Sequence, residues 1–379
     1  MATKKPIYFD NAATTIANPE VLNTYNIVKT KYYANPGSIH TLGQESKRIL
    51  DKARKQILDL LECKNHKLIF TSGATEANNL AIKGFCLKYQ NRGKHIITTN
   101  IEHPSVLEVF TQLKEYFGFE ISYLPVNEDG SVSANDLKKL LRKDTILVSV
   151  MAVNNETGAI NPIDDIAKLL KEHRNVVFHS DVTQCIGKLD INYDALDMFS
   201  FSAHKIHGLN SSGALILKRN IDLLPLFSGG GQEENLRSGT NDVAVSASLA
   251  KALRLSLETK DKNFKHISSL ANTLKEFINN NKEEFELNSF SYNPYIVNFS
   301  LKNKKASVVV EALSNRNIYI SSVSACHSRK ESYSYAINNM GKSLDLSHNT
   351  LRISFSEENT LEEVETFIKE LKSVLEGIR

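Results

Sequence analysis

The fold is decided by the stretch Phe199-Ser200-Phe201-Ser202-Ala203-His204-Lys205, in which apolar and small residues are followed by polar ones and a lysine. The pattern predicts a short buried strand that ends in polar side chains. Upstream lies a second stretch of the same kind, Val176-Val177-Phe178-His179-Ser180-Asp181-Val182-Thr183-Gln184, which ends on an acid and an amide. As neighbouring strands, the two stretches place an acid and a lysine at the same edge of a sheet.

Around these stretches, short β-type runs alternate with amphipathic helical runs from about residue 66 onward. The predicted strands are Lys67–Thr71, His95–Asn100, Phe119–Val126, Thr145–Val153, Val176–Val182, Met198–His204 and Ser212–Lys218. The predicted helices are Glu76–Tyr89, Ser105–Phe117, Ala134–Arg142, Ile163–His173 and Asp242–Leu257. Strands separated by helices predict an α/β fold with a mostly parallel seven-stranded sheet and helices on both faces. Ligands bind such sheets at the carboxyl ends of the strands.

The pattern changes after about residue 258, where helix Phe264–Asn280 is followed by short β segments and further helices. The β segments are Ile296–Leu301 and Leu351–Ser356, and the helices are Ala306–Arg316 and Leu361–Glu376. These elements predict a smaller α+β domain. We therefore expect a large domain over residues 16–257 and a small domain formed by residues 1–15 and 258–379, with helix Asp242–Leu257 joining the two.

The composition favours a globular protein without nucleic-acid or membrane partners. The 379 residues are 41% hydrophobic, enough for a substantial core, and the net charge is +3 with both signs mixed along the chain. Basic runs such as Leu301-Lys302-Asn303-Lys304-Lys305 are short, so direct nucleic-acid binding is not expected. The apolar runs are too short to span a bilayer, and no apolar segment follows the N-terminal lysines. We expect a soluble, cytoplasmic protein.

The four cysteines have different surroundings. Cys63, Cys86 and Cys185 stand among apolar neighbours, as buried cysteines do. Cys326 stands in Ser321-Ser322-Val323-Ser324-Ala325-Cys326-His327-Ser328-Arg329-Lys330, which predicts an exposed loop with a thiol near positive charge. Such surroundings favour the thiolate. Because Cys-x-x-Cys pairs and zinc-type Cys/His spacing are lacking, we expect neither a disulfide framework nor a metal site.

An acid and a lysine at the mouths of neighbouring strands are what a pyridoxal 5′-phosphate (PLP) site needs. The amine of Lys205 can form a Schiff base with the cofactor aldehyde, and the carboxylate of Asp181 can pair with the pyridinium nitrogen and keep it protonated. For either residue alone, a surface lysine or a helix-capping aspartate is the commoner interpretation. The other strand ends favour the cofactor, because His103, Asn155 and Gln184 also follow predicted strands.

Two glycine-containing loops that precede helices are candidate anion sites. In Ser72-Gly73-Ala74-Thr75-Glu76-Ala77-Asn78, the helix amides and the Thr75 hydroxyl can bind an anion, or Thr75 caps the helix. The second loop begins at Ser228-Gly229-Gly230-Gly231, for which a flexible glycine loop is the alternative. Ser202 and His204 flank the lysine and can add phosphate donors.

Two further candidates have both a structural and a functional interpretation. His103 is a helix cap or a core residue, or it stacks on a planar ring and moves protons. Its place at the same strand-end surface as Lys205 and Asp181 favours the second role. Arg352, in the predicted strand Leu351-Arg352-Ile353-Ser354-Phe355, forms either a surface ion pair or a bidentate clamp on a substrate carboxylate.

Taken in order, the motifs of this chain resemble the cysteine desulfurases of the NifS/IscS type. The resemblance runs from about residue 7 to the C-terminus. Each motif is weak alone, and their shared register is highly specific. The segments that carry it are Tyr8-Phe9-Asp10-Asn11-Ala12-Ala13-Thr14-Thr15, Ser72-Gly73-Ala74-Thr75-Glu76-Ala77-Asn78-Asn79, Asn154-Asn155-Glu156-Thr157-Gly158, Ser202-Ala203-His204-Lys205, Gly229-Gly230-Gly231-Gln232-Glu233, Arg237-Ser238-Gly239-Thr240, Ser324-Ala325-Cys326 and Leu351-Arg352-Ile353-Ser354-Phe355.

The resemblance implies a PLP enzyme with the aspartate aminotransferase fold (fold type I) that removes sulfur from L-cysteine, giving L-alanine and an enzyme-bound persulfide. By position, it makes Lys205 the Schiff-base lysine and the base for the Cα proton, and Cys326 the nucleophile that attacks the substrate sulfur. It also implies that His103 stacks on the ring and assists proton transfer. The resemblance assigns Asp181 to the ring nitrogen, Gln184 to the phenolic oxygen, and Asn155 to the cofactor as a further contact. The other implied site residues are Ala74, Thr75, Ser202, His204 and the other subunit's Thr240 for the phosphate, and Arg352, Asn155 and Asn35 for the substrate carboxylate.

The resemblance further implies a homodimer and a sulfur acceptor protein, either an iron–sulfur scaffold or a tRNA-thiolation enzyme. The chain departs from the family pattern at Val323 and His327 near the cysteine, and at Glu234-Asn235 after the glycine loop. Two other functions remain open. One is a selenocysteine lyase or another PLP-dependent lyase, which need not use Cys326. The other is a weakly active sulfur-relay partner, which these departures favour.

Overall fold

The central feature of the fold is a seven-stranded sheet, seen in a computed structural model that describes residues 5–322 and 333–378. The strands lie in the order His66–Thr71, Gly213–Lys218, Met198–Ser202, Val177–Asp181, Thr145–Ser149, His95–Thr99 and Glu120–Leu124. Neighbours pair in parallel, except that Gly213–Lys218 is antiparallel to both strands beside it. The predicted mostly parallel seven-stranded sheet is therefore confirmed.

Helices cover both faces of this sheet. Successive strand residues pack into two separate hydrophobic clusters, because side chains alternate across a strand. Leu215 and Leu217 belong to the cluster formed with helices Ala74–Tyr89 and Pro104–Phe117, whereas Ile216 belongs to the cluster on the other face. The remaining helices up to residue 170 are Pro19–Lys31, Thr41–Leu60, Ala134–Leu140 and Ile163–Leu170. Within the described residues, no helix is both long enough and apolar enough to cross a bilayer.

The later part of the chain forms a second, four-stranded sheet. Its strands lie in the order Ser321–Ser322, Thr350–Ser354, Ile296–Leu301 and Phe285–Leu287, and all its pairings are antiparallel. The helices of this part are Ala306–Ser314, Tyr335–Asn339, Leu344–His348 and Leu361–Gly377. Near the N-terminus, strand Ile7–Tyr8 pairs in parallel with Ile318–Tyr319. The following residues cross to the central sheet, where the Thr15 N–H donates to the His204 carbonyl at 2.9 Å.

The structure differs from the sequence prediction around residues 258–263. One helix, Val243–Asn280, replaces the two predicted helices Asp242–Leu257 and Phe264–Asn280. The intervening polar residues interrupt the apolar stripe, but they include no proline or glycine to interrupt the backbone hydrogen bonds. The expected domain boundary between residues 257 and 258 falls inside this helix, so the division into two domains stays a prediction. The strand predicted over Thr145–Val153 is also shorter and ends at Ser149.

Truncation of Phe299 is expected to destabilise the second sheet strongly. The side chain is fully buried at the centre of strand Ile296–Leu301, and its ring contacts that of Phe285 edge to face at 5.5 Å. Phe299→Ala leaves a cavity and should lower the free energy of unfolding by about 3–5 kcal/mol, measured by urea denaturation. Tyr292→Ala, at a side chain that is 70% exposed, is the control, with an expected change within about 0.5 kcal/mol. Equal effects of the two changes would contradict this view of the core.

Candidate active site

A cavity of about 310 Å³ lies at the carboxyl edge of the central sheet. It is bordered by the ends of strands Val177–Asp181 and Met198–Ser202 and by the first turns of helices Ala74–Tyr89 and Pro104–Phe117. The fold thus brings distant parts of the chain to one site. The residues predicted from the sequence that line it are Ala74, Thr75, His103, Asn155, Asp181, Gln184, Ser202, His204, Lys205 and Arg352.

Lys205 follows strand Met198–Ser202 in a short 3-10 turn and reaches into the cavity. Its Nζ donates hydrogen bonds to the backbone carbonyls of Ala12 and Ala13, at 2.6 and 2.5 Å. These two alanines also line the cavity, so the N-terminal segment forms one of its walls. Both of these partners are neutral backbone carbonyls, and they orient the amine.

Asp181, which is 5% exposed, ends strand Val177–Asp181 and is held by two donors. Its Oδ1 accepts from the Thr183 N–H at 2.9 Å, and its Oδ2 accepts from the Asn78 side-chain amide at 2.8 Å. The two donors fix the orientation of this carboxyl group, which lines the cavity. This orientation allows the carboxyl group of Asp181 to contact a cationic partner inside the cavity.

Asn78 and Ser105 connect Asp181 to His103, a link that the sequence analysis missed. The Asn78 amide also donates to the Ser105 hydroxyl at 2.9 Å, and that hydroxyl lies 2.8 Å from His103 Nδ1. His103 is the N-cap of helix Pro104–Phe117, and its Nδ1 accepts from the Ser105 N–H as well. The one available sequence signal was the position of Asn78, one helical turn after Thr75. The chain of contacts fixes the orientation of the His103 ring.

The start of helix Ala74–Tyr89 forms one wall of the cavity. Its N-cap residue is Gly73, at φ +148°, which has no side chain to cap the helix. The Ala74 N–H donates to the Ser202 hydroxyl at 2.7 Å, so these two predicted residues meet. Burial, together with the charge of Lys205, lowers the pKa of His204 to about 4, so its ring is neutral at pH 7. Backbone amides at a helix start, together with hydroxyl groups, suit a phosphate group.

Arg352 lines the cavity from strand Thr350–Ser354 of the second sheet. The residue is 4% exposed, and its Nη2 forms an ion pair with Asp10 at 2.8 Å. Its Nη1 donates to the Asn155 backbone carbonyl at 2.9 Å. Within the described ranges, Arg352 Nε and Asn155 Oδ1 are buried without a hydrogen-bond partner. A guanidinium and an amide with unused capacity therefore meet at one side of the cavity.

Three predicted site residues are not among those that line the cavity. Thr240, which was expected to act in the other subunit's site, is exposed. Asn35 is also exposed, and its side chain accepts from the Gly37 N–H at 2.9 Å. Cys326, like Val323 and His327, lies outside the described residues. The roles of all three stay predictions.

Glu102 is a buried carboxyl beside His103 to which the sequence analysis gave no role. Its Oε1 accepts from the Met151 N–H at 2.8 Å and from the Thr99 hydroxyl at 3.0 Å. Its Oε2 is buried without a partner in the described part of the chain. Burial raises the pKa of this carboxyl to about 8, and the charge of Asp181 adds to the rise. The group is therefore protonated at neutral pH.

The protonated Glu102 should make stability fall as the pH rises. Between the ordinary carboxyl pKa of 4.5 and the folded value of about 8, the folded chain holds a proton that the unfolded chain has released. Each pH unit in this window lowers the free energy of unfolding by up to about 1.4 kcal/mol. Because glutamine cannot titrate, the melting temperature of Glu102→Gln minus that of the wild type should increase through this window and then level off. A constant difference would show that Glu102 is ionised in the folded chain.

The polar groups that line the cavity match the polar groups of PLP. Buried side-chain oxygens that lack a partner among the described residues converge on it from Asn155, Thr183 and Gln184. An acid, an amine and a helix N-terminus stand at separate walls, which matches a ring nitrogen, an aldehyde and a phosphate. Thr183 lines the cavity although the sequence analysis assigned it no role. The residues present therefore suit the cofactor.

This fold and site define the class of protein. The family model of class-V aminotransferases matches residues 7–367, so the chain belongs to that family, whose members depend on PLP. The "NifS/IcsS protein homolog" of Lactobacillus delbrueckii subsp. bulgaricus is 41% identical over 96% of this chain and 95% of its own length. The "Cysteine desulfurase IscS" of Dictyoglomus turgidum is 36% identical over 99% and 96% of the two chains. Within the family, the chain is thus of the NifS/IscS cysteine desulfurase type.

Solved structures give the same result for the fold. A NifS-like protein superposes with a TM-score of 0.91 at 33% identity, over 98% of this chain and all of the other. A NifS-like protein from Rickettsia africae has a TM-score of 0.87 at 30% identity, over 98% and 99% of the two chains. A structure of SspA in complex with cysteine has a TM-score of 0.78 at 31% identity, over 93% and 100%. The expected PLP fold type I is confirmed.

Proposed function

We propose that this chain is a PLP-dependent cysteine desulfurase, which converts L-cysteine to L-alanine and passes the sulfur through a cysteine persulfide to acceptor proteins. The observation that carries the proposal is that Lys205, Asp181 and Arg352 line one cavity. An amine, a carboxylate and a guanidinium in one enclosed site suit a substrate that is an α-amino acid. The named relatives supply the choice of cysteine among such substrates.

The cofactor, when bound, supplies an electron sink for the bond changes at the substrate Cα and Cβ. Lys205 would hold it covalently and would carry the Cα proton on its Nζ, and Asp181 would keep the ring nitrogen protonated. Gln184 would bind the ring oxygen, and His103 would stack on the ring and assist proton transfer. Ala74, Thr75, Ser202 and His204, which line the cavity, would hold its phosphate.

The substrate carboxylate is bound by Arg352 and the Asn155 side chain, with Asn35 as a further contact. A planar guanidinium suits a carboxylate because it can donate two parallel hydrogen bonds. The ion pair with Asp10 leaves Arg352 oriented while its buried Nε lacks a partner among the described residues. This arrangement fixes the Cα of the substrate relative to Lys205.

Sulfur leaves the substrate by transfer between two thiols. The thiolate of Cys326 attacks the sulfur of bound L-cysteine, a sulfur–sulfur bond forms, and the carbon–sulfur bond breaks. The electron pair of the broken carbon–sulfur bond passes to the substrate Cβ, which takes up a proton. Cα is then reprotonated, and alanine is released. An acceptor thiol then takes the outer sulfur of the persulfide. The acceptor is an iron–sulfur scaffold or a tRNA-thiolation enzyme, and the enzyme acts as a homodimer to which Thr240 contributes across subunits.

The proposal is tested by incubating the purified protein with PLP, a reductant and L-cysteine, and by measuring alanine and sulfide. We expect both products in equal amounts. L-Serine, which has a hydroxyl in place of the thiol, is the control and should give neither. Absence of alanine under these conditions would overturn the proposal. Turnover without any partner protein would exclude the weakly active relay, and a preference for selenocysteine would favour the lyase.

A further inference from the structure

The turn that follows strand Thr145–Ser149 is held by side chains of the second sheet and its connections. Four successive backbone carbonyls, from Asn155 to Gly158, each accept a hydrogen bond from a side chain between residues 289 and 352. The donors are Arg352 Nη1 to residue 155 at 2.9 Å, Asn298 Nδ2 to residue 156 at 3.1 Å, Ser289 Oγ to residue 157 at 2.5 Å, and Ser291 Oγ and Asn293 Nδ2 to residue 158 at 2.7 and 3.2 Å.

Asn298 and Arg352 form a cross-strand pair. They face each other in the antiparallel pairing of strands Ile296–Leu301 and Thr350–Ser354. Directly opposite residues lie on the same face of a sheet, with Cβ atoms about 4.5–5.5 Å apart. From this face the two side chains reach the carbonyls of successive residues, Glu156 and Asn155. The register of the second sheet therefore determines where the turn lies.

The amide of Asn298 is itself held in one orientation. The residue is fully buried, and its Oδ1 accepts from the Asn288 side-chain amide at 2.8 Å. Its Nδ2 is consequently the atom that faces the Glu156 carbonyl. Its backbone N–H donates to the Ser289 hydroxyl at 2.8 Å, and that hydroxyl donates to the next carbonyl of the turn. Removal of the Asn298 amide would therefore remove one hydrogen bond that holds the turn.

We propose that Asn298 is a positioning residue for the substrate carboxylate. Through the Glu156 carbonyl it holds the turn, so that the Asn155 side chain and the Arg352 guanidinium stand at a constant separation. Asn298 does not line the cavity, so it acts on the substrate only through these two residues. The inference rests on the proposed function insofar as Asn155 and Arg352 bind a carboxylate.

The test compares Asn298→Ala with Ser291→Ala in the PLP-loaded enzyme. Ser291 is a matched control because its loss also removes one hydrogen bond to the turn, while the Gly158 carbonyl keeps Asn293 as a donor. For Asn298→Ala we expect KM for L-cysteine to rise about tenfold with kcat within about twofold, since a tenfold change corresponds to about 1.4 kcal/mol, the size of one hydrogen bond. Ser291→Ala should change neither constant.

Calorimetric titration separates this inference from the proposed function. Asn298→Ala should weaken binding of L-alanine about tenfold, again the size of one hydrogen bond, and leave binding of ethylamine, which lacks the carboxylate, unchanged. These measurements do not require desulfuration, so they decide the role of Asn298 even if L-cysteine is not the substrate. If Asn298→Ala does not fold, Asn298→Ser replaces it. Unchanged alanine binding, equal weakening of both ligands, or an equal effect of Ser291→Ala would overturn the proposal.

Discussion

Lys205→Ala is expected to abolish alanine formation from L-cysteine, with a loss of at least about a thousandfold. The visible absorption of covalently bound PLP should disappear with it. In the structure, the Ala12 and Ala13 carbonyls hold the Lys205 amine inside the cavity, at 2.6 and 2.5 Å. Truncation removes both the covalent link to the cofactor and the base for the Cα proton. The measurements are an alanine assay and the absorption spectrum of the purified variant.

Lys188 provides the matched control for Lys205. The two lysines border a small second cavity, and Lys188 is not among the residues that line the active-site cavity. Burial lowers the pKa of Lys188 to about 8, so the neutral fraction of this amine is unusually high for a lysine. We expect Lys188→Gln to keep both the absorption and the turnover. If Lys205→Ala kept the absorption while Lys188→Gln lost it, the assignment of the cofactor lysine would be wrong.

Cys326→Ala is expected to remove persulfide formation and to lower turnover by at least about a thousandfold, while the absorption of bound PLP stays. Cys326 lies outside the described residues. The expected loss of activity also rests on the raised pKa values of the other three thiols. Burial raises the pKa of the Cys63 thiol to about 12 and raises those of Cys86 and Cys185 even further. Because the thiolate is the nucleophile, none of these three can replace Cys326.

Mass spectrometry after treatment with L-cysteine, without reductant, measures this prediction. The wild-type peptide that contains Cys326 should gain one sulfur atom, and the Cys326→Ala protein should gain none. Cys185→Ala is the control, since Cys185 is a buried thiol next to Gln184 of the site, and it should form the persulfide as the wild type does. Sulfur on another cysteine of the wild type would contradict the assignment.

Much of the central fold was predictable because strand and helix periods are local. The seven predicted strands all appear in the sheet, with ends that shift by a few residues. Some helices differ from the sequence-based prediction. Residues 258–263 lack apolar side chains and yet continue helix Val243–Asn280, because packing on either side holds the backbone through them. Helices Pro19–Lys31 and Thr41–Leu60 were not predicted, although Asn18 and Pro19 form a standard helix start.

The site shows the same division between local and distant information. The sequence alone determined which side chains follow the strands, and most of those line the cavity, because the carboxyl ends of parallel strands meet at one edge. It also indicated the buried cysteines, because their neighbours are apolar. These features depend on residues close together in the chain.

Only the tertiary structure decided how these side chains are held. The chain of contacts from Asp181 through Asn78 and Ser105 to His103 joins three separate segments. The hydrogen bond from Asn298 to the Glu156 carbonyl joins residues that are 142 positions apart. A hydrogen bond requires two atoms at about 3 Å, a distance that no spacing along the chain encodes. The sequence thus determined the chemistry available to this protein, and the packing of two sheets decided its geometry.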